Sequence, residues 1–236
     1  SNEFKIPSFG VCHFTWDWFF KSVCKVETKY LLNIEKSFNK CDYFFFPPFT
    51  PDDILKKYKS KIYNINFIVN DFAKKNKKNK FKKCLIMDNG TRSLSSLINK
   101  TVPYLKNITN IEFYVCIDNL SQKFKNKILL SENVIPVSGL QSMHETLAKT
   151  DIVIARGGFN TISECLVLKK PALFFNEKNN PEVRENLKLM INRHKLASLI
   201  NSNDWGKNFS KKLYLFIKKD SKKIYKKLLF NKFKYN

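Results

Sequence analysis

Residues Asp151–Phe175 read DIVIARGGFNTISECLVLKKPALFF. Asp151–Ala155 is a short apolar run closed by glycines, which predicts a strand buried on both faces. Gly157 and Gly158 predict a tight turn and are two of only six glycines in the chain. Thr161–Leu168 then carries a helical apolar period, and Pro171–Phe175 a second apolar strand.

The same alternation extends outward from this unit. On its N-terminal side the pattern predicts strand Cys84–Met87, helix Leu94–Leu105, strand Ile111–Ile117, a polar stretch, strand Asn133–Val137 and helix Ser142–Lys149. On its C-terminal side helix Pro181–Asn192 follows, and the chain from Ser210 is helical with a stripe of Leu213, Phe216, Ile217, Ile224, Leu228 and Leu229. Short apolar strands alternating with helices predict an α/β fold with a parallel sheet covered on both sides. Before it, Pro7–Phe14, Asp42–Phe46 and Ile62–Val69 read as strands, Asp17–Asn39 as one or two helices, and Asp52–Tyr58 as a short helix. NDFAKKNKKNKFKK (Asn70–Lys83) is basic and has no apolar period, so it predicts a linker or exposed loop. The expected organisation is 1–69, linker 70–83, a main unit 84–209, and C-terminal basic helices 210–236.

In a doubly wound parallel sheet, ligands bind beyond the carboxyl ends of the strands. The candidate loops are Asp88–Arg92, Ser138–Met143, Arg156–Asn160 and Asn176–Pro181. At Gly157-Gly158 the backbone can turn sharply and a ligand can approach the main chain. The free amides of the following helix favour an anion such as phosphate, and Arg156 adds a charged donor. A glycine pair before a helix is also a common turn that needs no ligand. Thr161-Ile162-Ser163-Glu164 has the T-x-x-E spacing of a capping box. The cap needs no ligand and is the favoured reading from these residues alone; the carboxylate could also be aimed at a ribose diol.

The six cysteines are dispersed and form no C-x-x-C pair, which fits reduced thiols in an intracellular protein. His13, His144 and His194 lie far apart in sequence, and no metal site is predicted. No apolar run is long enough to span a membrane. The formal charge is +23, but the lysines are scattered and arginine is scarce. That pattern disfavours nucleic acid and leaves an anionic membrane surface, or simple solvation, as its meaning.

The segment TDIVIARGGFNTISECLVLKKPALFFNEKNNPEVRENLKLM resembles the donor-binding half of GT-B glycosyltransferases, especially the MurG-like (family 28-type) group. The matching positions are Asp151, Arg156, Gly157, Gly158, Thr161, Glu164, Pro171 and Asn186. CLIMDNGTRSLSSLINKTVPYL resembles the family's strand, glycine loop and helix opposite the diphosphate. NVIPVSGLQSMHETLAKTDIVIA resembles its strand and helix beside the base. IPSFGVCHFTWDWFF and CDYFFFPPFTP resemble the last strands of its acceptor-binding domain. The resemblance implies a GT-B-like fold: a Rossmann-like C-terminal domain plus a partial N-terminal α/β domain. It further implies that the rest of the acceptor half lies outside this sequence or on a partner chain.

The implied function is transfer of a hexose or N-acetylhexosamine from a nucleotide-sugar, a UDP-sugar by resemblance, to a carbohydrate or lipid-linked acceptor. The implied setting is the cytoplasm, peripheral to the inner face of a membrane, in cell-envelope polysaccharide synthesis. Glu164 would bind the ribose hydroxyls. Thr161 and the Gly158-Phe159-Asn160 backbone would face the diphosphate, with Gly90 and Thr91 opposite. Leu140 and Met143 would lie near the base, and Glu182 and Asn186 near the sugar. Two departures stand out: Gly90 is alone where the family has two or more glycines, and Glu182 replaces the sugar-reading Gln. A carboxylate only accepts hydrogen bonds, so the hydroxyls read would differ. There is no D-x-D motif, so metal-independent chemistry without a cofactor is expected. The candidate bases are His13 and Asp17. A donor-binding subunit without activity, or a UDP-sugar hydrolase of the same fold, are the alternatives.

Overall fold

Ile152, Val153, Ile154 and Ala155 have no measurable exposure, so strand β7 (Ile152–Arg156) is covered on both faces. In the computed structural model, which describes residues 6–23, 26–69, 81–88, 92–129, 131–177 and 179–230, β7 lies inside a six-stranded parallel sheet. Its strands are β4 (Lys83–Ile86), β5 (Glu112–Cys116), β6 (Val134–Val137), β7, β8 (Ala172–Phe175) and β9 (Ser198–Ile200). Their spatial order is β6-β5-β4-β7-β8-β9, and every neighbouring pair is parallel. The chain winds outward from β4 to β6, returns to pair β7 with β4, and then winds the other way. Such a reversal splays the loops after β4 and β7 apart and opens a crevice between them.

The chain's first part forms a separate three-stranded parallel sheet, β1 (Phe9–Val11), β2 (Tyr43–Phe46) and β3 (Ile62–Asn64). Helices α1 (Trp16–Val23), α2 (Thr28–Asn39) and α3 (Asp52–Lys57) accompany it, around a small core of Phe44, Phe46, Ile54 and Tyr58. An aromatic seam joins the two sheets. His13 stacks on Phe159 at 4.0 Å, Phe159 meets Phe67 at 6.0 Å, and Phe67 meets Phe49 at 5.8 Å.

Between the strands of the large sheet run α4 (Ser95–Leu105), α5 (Gln122–Leu129), α6 (Leu140–Lys149), α7 (Phe159–Val167) and α8 (Pro181–Leu187). The C-terminal α9 (Phe209–Leu215) and α10 (Lys222–Phe230) are joined by a π-helical turn. Phe209, Leu213, Phe216, Ile224 and Leu228 are buried in the large sheet's core. The Gly206 amide ties this tail to α4 by donating to Thr101 Oγ1 at 2.8 Å.

Several elements differ from expectation. The stretch read as merely polar after β5 is the helix α5, in which Phe124, Ile128 and Leu129 recur at helical spacing among the polar residues. Gln122 there donates to Asn126 one turn on. The helix expected over Pro181–Asn192 is α-helical only to Leu187 and continues as a π-helix, Lys188–Arg193. The strand expected over Ile62–Val69 stops at Asn64, and β9 was not anticipated. Most of the expected linker lies outside the described residues. Five described cysteines are free, and Cys84, Cys116 and Cys165 are buried. No helix among the described residues is long and apolar enough to cross a membrane.

Candidate functional site

The two glycines of the opening stretch are not equivalent. A Cβ on Gly157 would lie 2.6 Å from Leu187 Cδ2, so glycine there lets α8 pack against the turn. A Cβ on Gly158 would meet nothing closer than Arg156 Nη1 at 3.7 Å. Gly158 is the N-cap of α7 in ordinary extended geometry (φ −69°) and offers no side-chain cap. The first amide of α7 is instead bound from another element: Phe159 N–H donates to Glu182 Oε1 at 3.0 Å. Asn180 and Pro181 position that carboxylate. Asn180 Oδ1 accepts from Val183 N at 3.1 Å, Pro181 opens the helix, and Glu182 therefore stands in the first turn of α8.

This overturns the capping-box reading of Thr161 and Glu164. The helix begins at Phe159, which makes Thr161 its third residue and Glu164 its sixth. A cap requires its hydroxyl one position before the first helical residue. Thr161 is buried, and Asn160 is exposed at the start of α7. Glu164 is nearly buried, with Oε1 3.4 Å from His144 Nε2 on α6. Burial pushes its carboxyl up to about 7. A carboxyl buried in this way is costly to charge unless a hydrogen-bond donor faces it.

Arg156, at the tip of β7, donates from Nε to Glu177 Oε2 at 2.5 Å, and both side chains are largely buried. Glu177 was not anticipated, because its link to Arg156 spans 21 residues. Asn186 is buried in α8 and donates to the Gly157 carbonyl at 3.3 Å.

Two further loops complete the rim. Asp88, after β4, is buried and accepts from Leu94 N and Ser95 Oγ, both at 3.0 Å. Gly90 and Thr91 lie outside the described residues. Gly139, before α6, has φ +80°. Asp118 accepts from Ser138 Oγ at 2.5 Å and from Gly139 N at 3.1 Å. Leu140 is exposed and Met143 is buried in the first turns of α6.

The two candidate bases are both engaged. His13 Nε2–H donates to the Phe49 carbonyl at 2.9 Å, and the ring lies on Phe159. Burial pulls its pKa down to about 4, against the opposing pull of the Phe49 carbonyl and the Asn186 side chain. Asn186 acts on the ring from close by, yet His13 Nδ1 and Asn186 Oδ1 each lack a hydrogen bond of normal geometry. Asp17 is buried, and Lys57 Nζ bonds its Oδ2 at 2.8 Å. Burial alone would raise the Asp17 carboxyl, but the Lys57 ammonium holds it below the ordinary value. Lys57 also bridges to Glu35 at 2.8 Å, so this cluster ties α1, α2 and α3 together. A separate cleft of about 330 Å³ lies between Pro47–Thr50 and the π-helix, lined in part by Arg193 and His194. None of the strand-end residues above lines it.

The arrangement is a helix N-terminus, an arginine and a buried carboxyl at the sheet's reversal point. These can hold an anionic group and a neighbouring diol. A family model described as the glycosyltransferase family 28 C-terminal domain matches residues 89–233. No curated protein matches the sequence. Among solved structures, UGT89C1 of Arabidopsis thaliana superposes with a TM-score of 0.70 at 9% identity, over 97% of this chain and 61% of that one. UGT2 of Phytolacca americana, complexed with UDP-2fluoro-glucose and pterostilbene, gives 0.62 at 14% identity, over 84% and 51%. UGT71G1 of Medicago truncatula, complexed with UDP-glucose, gives 0.59 at 14%, over 84% and 50%. The fold is the GT-B glycosyltransferase fold, and the chain spans one half to three fifths of the length of these relatives.

Proposed function

The chain belongs to the glycosyltransferase family 28 C-terminal domain family, and from that premise we propose that it holds a UDP-sugar at the tip of β7 for metal-independent glycosyl transfer. The observation that carries this reading is the opening of α7 at the reversal between β4 and β7, flanked by Arg156 and the buried Glu164. Gly158 lets a diphosphate reach the α7 amides, and Arg156 supplies the charged donor. Glu164 accepts from the ribose hydroxyls. Leu140 and Met143 border the base, while Thr161 and Asn160 line the phosphate side. Glu182 and Asn186 face the sugar, which is a hexose or an N-acetylhexosamine.

In the transfer, the bond from the anomeric carbon to the diphosphate oxygen breaks, and an acceptor hydroxyl oxygen bonds to that carbon. The acceptor proton passes to a base, and UDP leaves with the bonding pair. Amides preorganised at α7, together with Arg156, stabilise the charge that develops on the leaving group. The engagement of His13 and Asp17 favours a second reading, in which this chain binds the donor and the base comes from elsewhere.

Calorimetric titration with UDP, UDP-sugars, CDP and GDP tests the proposal. UDP should bind, and Glu164→Ala should weaken it by about tenfold or more, as expected when a charged hydrogen-bond acceptor is lost. Absence of nucleotide binding sinks the donor-site reading. Equal UDP affinity in Glu164→Ala sinks the ribose assignment. Tight binding without UDP release from any UDP-sugar supports the second reading.

A further inference from the structure

The α7 amide best placed to receive a diphosphate is already occupied. Phe159 N–H donates to the Glu182 carboxylate at 3.0 Å. The nearby cation is partly engaged too, since Arg156 Nε bonds Glu177. In a chain of net charge +23, three carboxylates, Glu164, Glu177 and Glu182, thus gather on α7 and its leading turn. A simple cap would not need this arrangement. A Ser, Asn or Asp at position 158 would cap α7 locally, as Asn180 caps α8. Instead, position 158 is a glycine where a side chain would meet only an ordinary contact with Arg156 Nη1, and the capping charge comes from the next helix. Glu182 is only half-buried, so its side chain has a path to solvent, while Asn180 and Pro181 keep its backbone in place.

We propose that Glu182 is a resident anion of the donor site, which holds the α7 amide in the free protein and must swing off before a diphosphate docks. This rests on the donor-site reading above. The carboxylate and the incoming phosphate compete for one N–H and repel each other across a partly desolvated gap. The charge of Glu182 therefore sets how tightly the site takes phosphorylated donors. Once displaced, the carboxylate remains beside the sugar as a pure hydrogen-bond acceptor.

Glu182→Gln isolates the charge, because the amide oxygen can still accept from Phe159 N–H. Uridine, UMP and UDP are titrated by calorimetry into the unmodified protein and this variant, with and without Mg²⁺, and melting temperature serves as a folding control. The expected result is UDP binding about tenfold tighter in Glu182→Gln, UMP about threefold tighter and uridine unchanged, since the repulsion removed grows with ligand charge. A purely structural cap would shift all three ligands together. Unchanged or weaker UDP binding in Glu182→Gln, or an equal gain for uridine, overturns the inference while leaving the donor site standing. Loss of a Mg²⁺-dependent gain in Glu182→Gln also overturns it, because the carboxylate would then hold a bridging cation. If neither protein binds any nucleotide, the donor-site reading itself fails and this inference falls with it.

Discussion

Replacing Gly157 with alanine separates the two jobs of the glycine pair. The added Cβ would stand 2.6 Å from Leu187 Cδ2 and 3.1 Å from its Cγ. Carbon atoms pack at about 3.5–4.0 Å, so Leu187 must retreat by about 1 Å. Leu187 is buried in the main core and has little room to do so. Overpacking of this kind costs about 1–3 kcal/mol. The reduced freedom of the unfolded chain returns about 0.4–1 kcal/mol, which leaves Gly157→Ala less stable by about 1–2 kcal/mol. Gly158→Ala meets no such contact and keeps an ordinary φ of −69°. Its unfolded-state gain is offset by alanine's poor N-cap preference, so the net change should stay within about 0.5 kcal/mol. Urea denaturation followed by circular dichroism measures both, with Leu187→Ala completing a double-mutant cycle. Leu187→Ala alone should cost about 2–5 kcal/mol, but less in the Gly157→Ala background, where the new methyl fills part of the cavity. Gly157→Ala as stable as the unmodified protein, or strict additivity with Leu187→Ala, would refute the packing argument.

Two groups near α7, the buried Glu164 and the half-buried His13, should give opposite pH slopes. Glu164 is raised from 4.5 to about 7, so the folded state binds the extra proton and stability falls as pH rises through that window. Glu164→Gln should therefore stabilise at pH 8 and change little at pH 4.5, by urea unfolding. His13 is lowered from 6.5 to about 4, so the unfolded state binds the extra proton and stability falls as pH drops through that window. His13→Phe keeps an aromatic ring on Phe159 and should flatten that acid limb. Lys57→Met leaves the buried Asp17 carboxylate without its closest partner and should cost about 3–5 kcal/mol in the same assay, with Asp17→Asn in that background restoring part of the loss.

Much of the architecture was legible in local patterns. The short apolar runs 84–87, 111–117 and 151–155 signalled strands covered on both faces, and the structure has strands at each. α5 was hidden because only Phe124, Ile128 and Leu129 mark a helical period among its polar residues, and β9 because three residues are too few to show one. The break in the helix after Leu187 was hidden as well, since a π-helical turn has no distinctive composition.

At the site, the residues of one stretch were foreseeable and their partners were not. Asp151–Phe175 by itself determined a strand, a glycine turn and a helix with no side-chain cap of its own, because turn chemistry and periodicity act between near neighbours. Only the tertiary structure decided that β7 pairs with β4, so that the turn opens at the reversal of the sheet. It decided that α7 starts at Phe159 and borrows its cap from Glu182, 23 residues onward, instead of using Thr161 and Glu164. It also decided that Arg156 meets Glu177 and that His13 lies on Phe159. These contacts depend on how α8 and the small sheet pack against α7, and no spacing within the stretch encodes the residues that approach it from outside.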